Sequence, residues 1–178
     1  AYHNAQDYDR IRVLEYQDLK IAFLSYTYGT NGMTLNAGSD WVIPYIDEED
    51  IRRQVALAKN VGDLVFVSMH WGLDSALDIT AEQHTLANLL AELNVDVVIG
   101  HHSHTLQDME WKDRTDGGKT LIIYSLGNLL HSMYYPTQYT PNYAFLVGGL
   151  ATFDIFRSPN GWQIENPLML PTVCHYTD

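Results

Sequence analysis

The stretch Asp63-Leu64-Val65-Phe66-Val67-Ser68-Met69-His70 decides the fold. A strand covered on one face alternates apolar and polar residues. This one runs apolar almost without a break, the mark of a strand covered on both faces and hence of a parallel sheet. Val95-Asp96-Val97-Val98-Ile99 repeats the pattern, and Gly100 closes it. Between them Thr80 and Gln83 form a capping-box pattern, and Leu86, Leu89, Leu90 and Leu93 recur at helical spacing. Residues 64–99 therefore read as a strand-helix-strand unit with a right-handed crossover.

Working outward, Arg12–Gln17 and Leu19–Tyr28 read as two strands around Asp18. Residues 29–45 are rich in Gly, Asn, Thr and Ser and read as a long loop. A helix follows, with Asp47 as N-cap, Asp50 at N3, and an apolar stripe of Ile51, Val55 and Ala58. Ile46 and Ile51 are placed for a hydrophobic staple. Thr120–Ser125 is a further strand ending at Leu126-Gly127-Asn128. Phe145–Phe156 and Trp162–Leu170 flank Ser158-Pro159-Asn160-Gly161 and read as an antiparallel hairpin. No linker composition divides the 178 residues.

Ten Lys plus Arg stand against 22 Asp plus Glu, a net charge of −12. Nucleic-acid binding is not expected, because phosphate neutralisation needs a basic face. An anionic substrate needs a metal ion or a local basic patch to offset the repulsion. Lys112, Arg114 and Lys119 are the only such concentration outside Arg52-Arg53. Asp113 and Asp116 dilute it, so it reads as a solvated loop. The single cysteine, Cys174, excludes a disulfide framework and a cysteine-based zinc site within this chain. No uninterrupted apolar run, Leu64–Val67 included, approaches the length of a membrane span.

Five of the eight histidines carry a signal: His70, His101, His102, His104 and His131. His70 follows the first buried strand, and the 101–104 cluster follows the second. In a parallel sheet both strand ends lie on one edge, the carboxyl edge, where open α/β sheets bind ligands. An extended backbone through Gly100-His101-His102-Ser103-His104 turns His102 and His104 to one side and His101 to the other. Neutral imidazoles are the commonest metal ligands, and His70, His102 and His104 together would suit zinc, manganese or iron. His101 is open between a ligand, a support for one, and a packing residue. Asn128, at a third strand end, is open between a turn residue and a group lining the same edge. His84, beside a helix cap, reads as structural or exposed. Residues 131–143, aromatic and proline-rich, read as a lid, a substrate rim or a self-association surface. A two-metal hydrolytic site also needs a bridging carboxylate. Asp74 and Asp78 follow His70, but neither spacing singles one out.

Ser68-Met-His70-Trp-Gly72, Gln83, Val95-Asp-Val-Val-Ile-Gly-His-His-Ser-His-Thr-Leu-Gln107 with Glu110, and Tyr124-Ser-Leu-Gly-Asn128 occur in the order and spacing of one family. From about Arg10 to Pro171 the chain resembles the bacterial capsule-synthesis family CapA, the poly-γ-glutamate synthesis proteins. That family is similar to calcineurin-like metallophosphoesterases. The resemblance implies an α/β fold: the C-terminal half of a metallophosphoesterase-like α/β sandwich, with the parallel strand-helix-strand core and the C-terminal hairpin. It implies metal-binding and catalytic roles for His70, His102 and His104, with His101 as an alternative first histidine of the Gly-His-x-His motif. Ser103 stands where the family usually has Pro. Asp74 is the nearest substitute for an acidic residue that usually follows His-Trp-Gly. The superfamily's Gly-Asp and Asn-Asn-His motifs do not occur here. By the resemblance, residues 1–178 are one partial domain, either completed by a separate preceding segment of the same protein or incomplete, and that segment would carry a membrane anchor and place the protein outside the cytoplasm.

Three functions follow as expectations. The first is a metal-dependent hydrolase or transferase of capsule or poly-γ-glutamate biosynthesis. It would use manganese, iron or zinc, and be dinuclear only with the preceding half. Its partners would be an anionic surface polymer or its precursor and other capsule synthesis proteins. The second is a non-catalytic polymer-binding or export subunit. The third is a mononuclear zinc amidase on His70, His102 and His104 alone.

Overall fold

A computed structural model describes residues 1–130, 143–159 and 161–175. The elements in chain order are α1 (Ala5–Asp9), β1 (Arg12–Tyr16), β2 (Leu19–Thr27), α2 (Glu48–Lys59), β3 (Leu64–His70), α3 (Ala81–Glu92), β4 (Val97–His101), β5 (Met109–Asp113), β6 (Lys119–Ile123), a 3-10 turn (Tyr143–Leu146), β7 (Val147–Ser158) and β8 (Gly161–Val173). The main sheet has the order β1-β2-β3-β4-β6-β5. Its inner strands β2, β3, β4 and β6 are parallel, and β1 and β5 join antiparallel at the two edges. β7 and β8 form a separate antiparallel pair. The fold is the expected α/β arrangement of a parallel core and a C-terminal hairpin.

The uninterrupted apolar run of β3 is explained by its two covers. Val65, Val67 and Met69 pack beneath the helices with Ile51, Val55, Leu86 and Leu90. Leu64 and Phe66 face the other way, into a cluster closed by Phe153, Ile155, Trp162 and Ile164 of the hairpin. Each such buried aliphatic or aromatic side chain contributes about 1.5–3 kcal/mol. A polar residue at alternate positions would forfeit one cover. α3 begins as its sequence predicts: the Thr80 hydroxyl accepts from Gln83 N–H, and Gln83 Oε1 accepts from Thr80 N–H. The Asp47 side chain caps α2 by accepting from Asp50 N–H at 2.9 Å.

Two elements carry no clear sequence signal. α1 is five residues long, too short for a periodic stripe. β5, Met-Glu-Trp-Lys-Asp, is a half-buried edge strand, where charges are tolerated. The 112–119 segment departs from a solvated loop. The Arg114 side chain is only 17% exposed and pairs with Asp96 at 2.5 Å and Asp116 at 2.8 Å. The aromatic segment singled out by sequence, His131 included, lies outside the described residues except for Tyr143, which is exposed at the start of the 3-10 turn.

Candidate functional site

The parallel register sets His70 and His101 side by side at the ends of β3 and β4. β2 ends on the same edge, and Tyr28 just beyond it donates its N–H to His70 O at 2.9 Å. The Tyr28 ring stacks on His70 at 5.8 Å and lies 4.2 Å from the His102 ring, centroid to centroid. His70 and His102 are themselves 4.7 Å apart by the same measure. These three rings form one aromatic cluster on the carboxyl edge. Tyr28 was not among the residues singled out by sequence, although the strand-end rule that marks His70 applies equally to β2.

The backbone after β4 is not extended. His102 and His104 both have positive φ, 102° and 59°, values that side-chain-bearing residues adopt rarely and at functional sites. The expectation that 102 and 104 face together from an extended strand is therefore corrected. His102 joins His70, while the His104 ring turns to Asn128. His101 stays in β4, half-buried, and its carbonyl accepts from Trp71 N–H at 3.2 Å.

Asn128 fixes the state of His104. Its Nδ2 donates to His104 O at 3.1 Å and to Phe145 O at 3.0 Å. Its Oδ1 must then accept, and His104 Nδ1 lies 2.8 Å away. The imidazole proton sits on Nδ1, and Nε2 keeps its lone pair for a ligand or a proton. Gly127 takes the left-handed φ of the turn, at 64°, so Asn128 is free for this role.

Although its side chain reaches solvent, partial desolvation pushes the His70 imidazole below its ordinary pKa, and the neighbouring histidines His102, His101 and His104 push the same way. Burial also lowers His102, against the pull of Asp74 and with that of His104, and it lowers His101. In all three the shift favours the neutral imidazole, the form that binds metal ions. Asp74 accepts from Ser75 Oγ at 2.8 Å, and its field reaches His102 without touching it.

Several residues of the sequence motifs hold this edge together. Trp71 is fully buried and donates Nε1–H to Tyr124 O at 3.0 Å. Gln83 Nε2 donates to Gln107 Oε1 at 3.0 Å, and Gln107 Nε2 donates in turn to Ala76 O and Asp78 O. This amide relay pins the 72–79 loop to α3. Ser103 is buried and donates to Thr105 O at 3.0 Å beside Ser125 Oγ, so its hydroxyl is satisfied. His84 accepts its expected structural place, with Nδ1 at 3.0 Å from the Tyr124 hydroxyl. Among the described residues, no group of three or more His, Cys, Asp and Glu side chains converges to hold a metal ion. The donors match a metal in kind and fall short in number.

The model of the family described as bacterial capsule synthesis protein PGA_cap matches residues 1–133. The chain belongs to that family. It is 30% identical over 126 residues to the PGA biosynthesis protein CapA of Bacillus subtilis, covering 68% of this chain and 32% of the relative. It is 27% identical over 134 residues to the capsule biosynthesis protein CapA of Bacillus anthracis, covering 73% and 31%. A probable polyglutamine synthesis accessory protein of Mycobacterium tuberculosis is 34% identical over 62 residues, covering 35% and 16%. The chain thus spans about a third of the length of the two Bacillus relatives.

Proposed function

We propose that this chain serves capsule or poly-γ-glutamate biosynthesis and contributes one part of a metal-dependent hydrolase site. His70 and His102 would hold the ion, with His104 through Nε2, and groups from outside this chain would complete the ligand set. Manganese, iron or zinc bound there would activate water and offset the charge of an anionic polymer or precursor. The observation that carries this reading is the Asn128-fixed tautomer of His104 beside the His70–His102 ring pair. Metal-binding histidines are characteristically oriented in this way by a hydrogen bond to the other ring nitrogen. The polymer and other capsule synthesis proteins are the proposed partners. The proposed location is extracytoplasmic, with an anchoring segment outside this chain. No helix among the described residues is long and apolar enough to cross a membrane.

The second reading, a non-catalytic polymer-binding or export subunit, is favoured by the shortfall in converging donors. The same observation speaks against the mononuclear zinc amidase, which needs His70, His102 and His104 on one point. Elemental mass spectrometry on the untagged chain and on its His70→Ala/His102→Ala/His104→Ala variant tests the proposal. Titration of both with Mn2+ and Zn2+ accompanies it. Binding that the triple variant loses supports the metal site. Binding equal in both, or absent from both with the ligand set completed by the full-length protein, leaves the binding-subunit reading.

A further inference from the structure

A cleft of about 770 Å3 opens at the amino edge of the main sheet, at the other end of the parallel strands from the histidines. Small-molecule sites usually occupy about 300–1,000 Å3. The two walls come from different layers. One is the β5–β6 turn with Trp111 of β5, and the other is β8 from Trp162 to Pro167. Trp111 and Trp162 are both half-buried, and both pack on the apolar cluster between the layers.

Both walls are held by their own contacts. On the turn, Arg114 donates to Asp96 and, through Nε and Nη2, to Asp116 at 2.9 and 2.8 Å. Asp116 also accepts from Gly118 N–H at 2.9 Å. A Cβ on Gly118 would stand 2.7 Å from Arg114 Nη2, so the backbone is packed directly on the guanidinium. On the opposite wall β8 carries a bulge. Thr152 pairs with Leu168 but Asp154 with Glu165, so Asn166 and Pro167 together stand against Phe153. Asn166 takes a left-handed φ of 53° and donates Nδ2–H to Asp154 at 2.8 Å. Bulges re-aim side chains and recur beside binding sites. This one lets Glu165, Asn166 and Pro167, neighbours in sequence, all line the cleft. Arg157 lies over the Trp162 ring at 5.8 Å and orients it.

The lining chemistry discriminates between ligands. Asp96, Asp116 and Glu165 meet Arg114 and Lys119 in the cleft, so the charges nearly cancel. Arg114 is taken by Asp96 and Asp116, and Lys119 lies 3.6 Å from Asp113. A polyanion therefore meets cations that already have carboxylate partners, and a cation meets no strong net field. What remains for a ligand is two indoles from facing walls, with the exposed side chains of Gln163, Glu165 and Lys119 beside them. The face of an indole is electron-rich and packs on the C–H face of a pyranose ring, while amide, carboxylate and ammonium groups meet its hydroxyls. We propose that this cleft binds a short neutral oligosaccharide, with a sugar ring packed on Trp111 or Trp162 and its hydroxyls on Gln163, Glu165 and Lys119. The proposal uses no histidine and does not rest on the metal site.

The test titrates the 178-residue chain with maltotetraose, cellotetraose, laminaritetraose and chitotetraose. EDTA is present throughout, so the outcome is independent of metal binding. The chain has four tryptophans, Trp41, Trp71, Trp111 and Trp162, and nuclear magnetic resonance follows each indole N–H separately. At least one sugar is expected to shift the Trp111 and Trp162 signals with a Kd of about 1 mM or tighter. The fully buried Trp71 should not respond. Trp162→Ala should weaken binding by about tenfold or more. Because Trp162 also packs on the core, Gln163→Ala/Glu165→Ala, at exposed positions, is the companion variant. It should weaken binding by about fivefold and leave circular dichroism unchanged. No shift with any of the four sugars at about 10 mM, shifts confined to Trp41 and Trp71, or affinity unchanged in both variants would each overturn the proposal. Stronger shifts of Trp111 and Trp162 by γ-linked tetraglutamate or by tetramethylammonium would assign the cleft to an anionic or a cationic ligand and overturn the sugar.

Discussion

At the amino edge of the parallel strands, polar groups are consumed by one another. Asp96 accepts from Val65 N–H at 2.7 Å and from Arg114 at 2.5 Å. Asp63 accepts from Lys20 N–H at 2.8 Å, and Thr120 Oγ1 donates to Val95 O at 2.6 Å. At the carboxyl edge the side chains are held from behind and left open in front. His70 and His104 are exposed; Tyr28 stacks on the first and Asn128 holds the second, while the Gln83–Gln107 relay pins the neighbouring 72–79 loop. Burial raises the Asp96 carboxyl, opposed by the Val65 amide and Arg114, so that pair is a closed structural unit. Partial desolvation favours the neutral form of His70 and His102.

The contrast can be broken most severely where the two halves of the carboxyl edge touch. A Cβ on Gly100 would stand 1.9 Å from Tyr124 O and 2.6 Å from Trp71 Nε1. Gly100→Ala should cost about 3 kcal/mol or more and lower the midpoint in chemical denaturation accordingly. A midpoint near that of the native chain would show that the backbone gives way more easily than the contact implies.

Arg114→Ala tests the amino edge. It strands the Asp96 carboxylate, whose side chain is only 15% exposed, and should cost about 2–3 kcal/mol. Metal titration at the other edge should be unchanged, and altered binding would show the two edges to be coupled. Gln83→Ala removes the reciprocal cap of α3 and leaves Gln107 Oε1 without its donor. A loss of about 1–3 kcal/mol is expected, with faster amide exchange across residues 72–79. Unchanged exchange there would remove Gln83 from the positioning of the loop.

Asn128→Ala should cost about 1 kcal/mol. It should also weaken any Mn2+ or Zn2+ binding by about tenfold or more, because His104 loses the partner that fixes its tautomer. The smallest effect belongs to His70→Ala/His102→Ala, expected within about 0.5 kcal/mol of the native stability, with metal binding lost. A large destabilisation by this pair would return the cluster to a packing role.

The strand-helix-strand unit was legible because β3 and β4 are buried on two faces, and that burial writes itself as an apolar run. The caps of α2 and α3 were legible because each is a contact three residues apart. β5 was not, because an edge strand half in solvent has no obligatory pattern. The burial of Arg114 was not, because its partner Asp96 lies far along the chain and meets it only through sheet pairing. The histidines were found by counting strand ends, and Tyr28 was missed by not counting β2 among them.

Sequence by itself determined that β3 and β4 are parallel, which edge they present, and that His70, His101, His102 and His104 follow their ends on that edge. Local burial patterns and strand order suffice for that, since a parallel sheet has one carboxyl edge. Only the tertiary structure decided which rings meet. Positive φ at His102 and His104 breaks the alternation that an extended chain would impose. A left-handed backbone at side-chain-bearing residues is held by long-range contacts that no local pattern records. The tautomer of His104, the amide relay behind the loop and the two-walled cleft at the amino edge belong to the same class. Each depends on residues far apart in the chain and close in space.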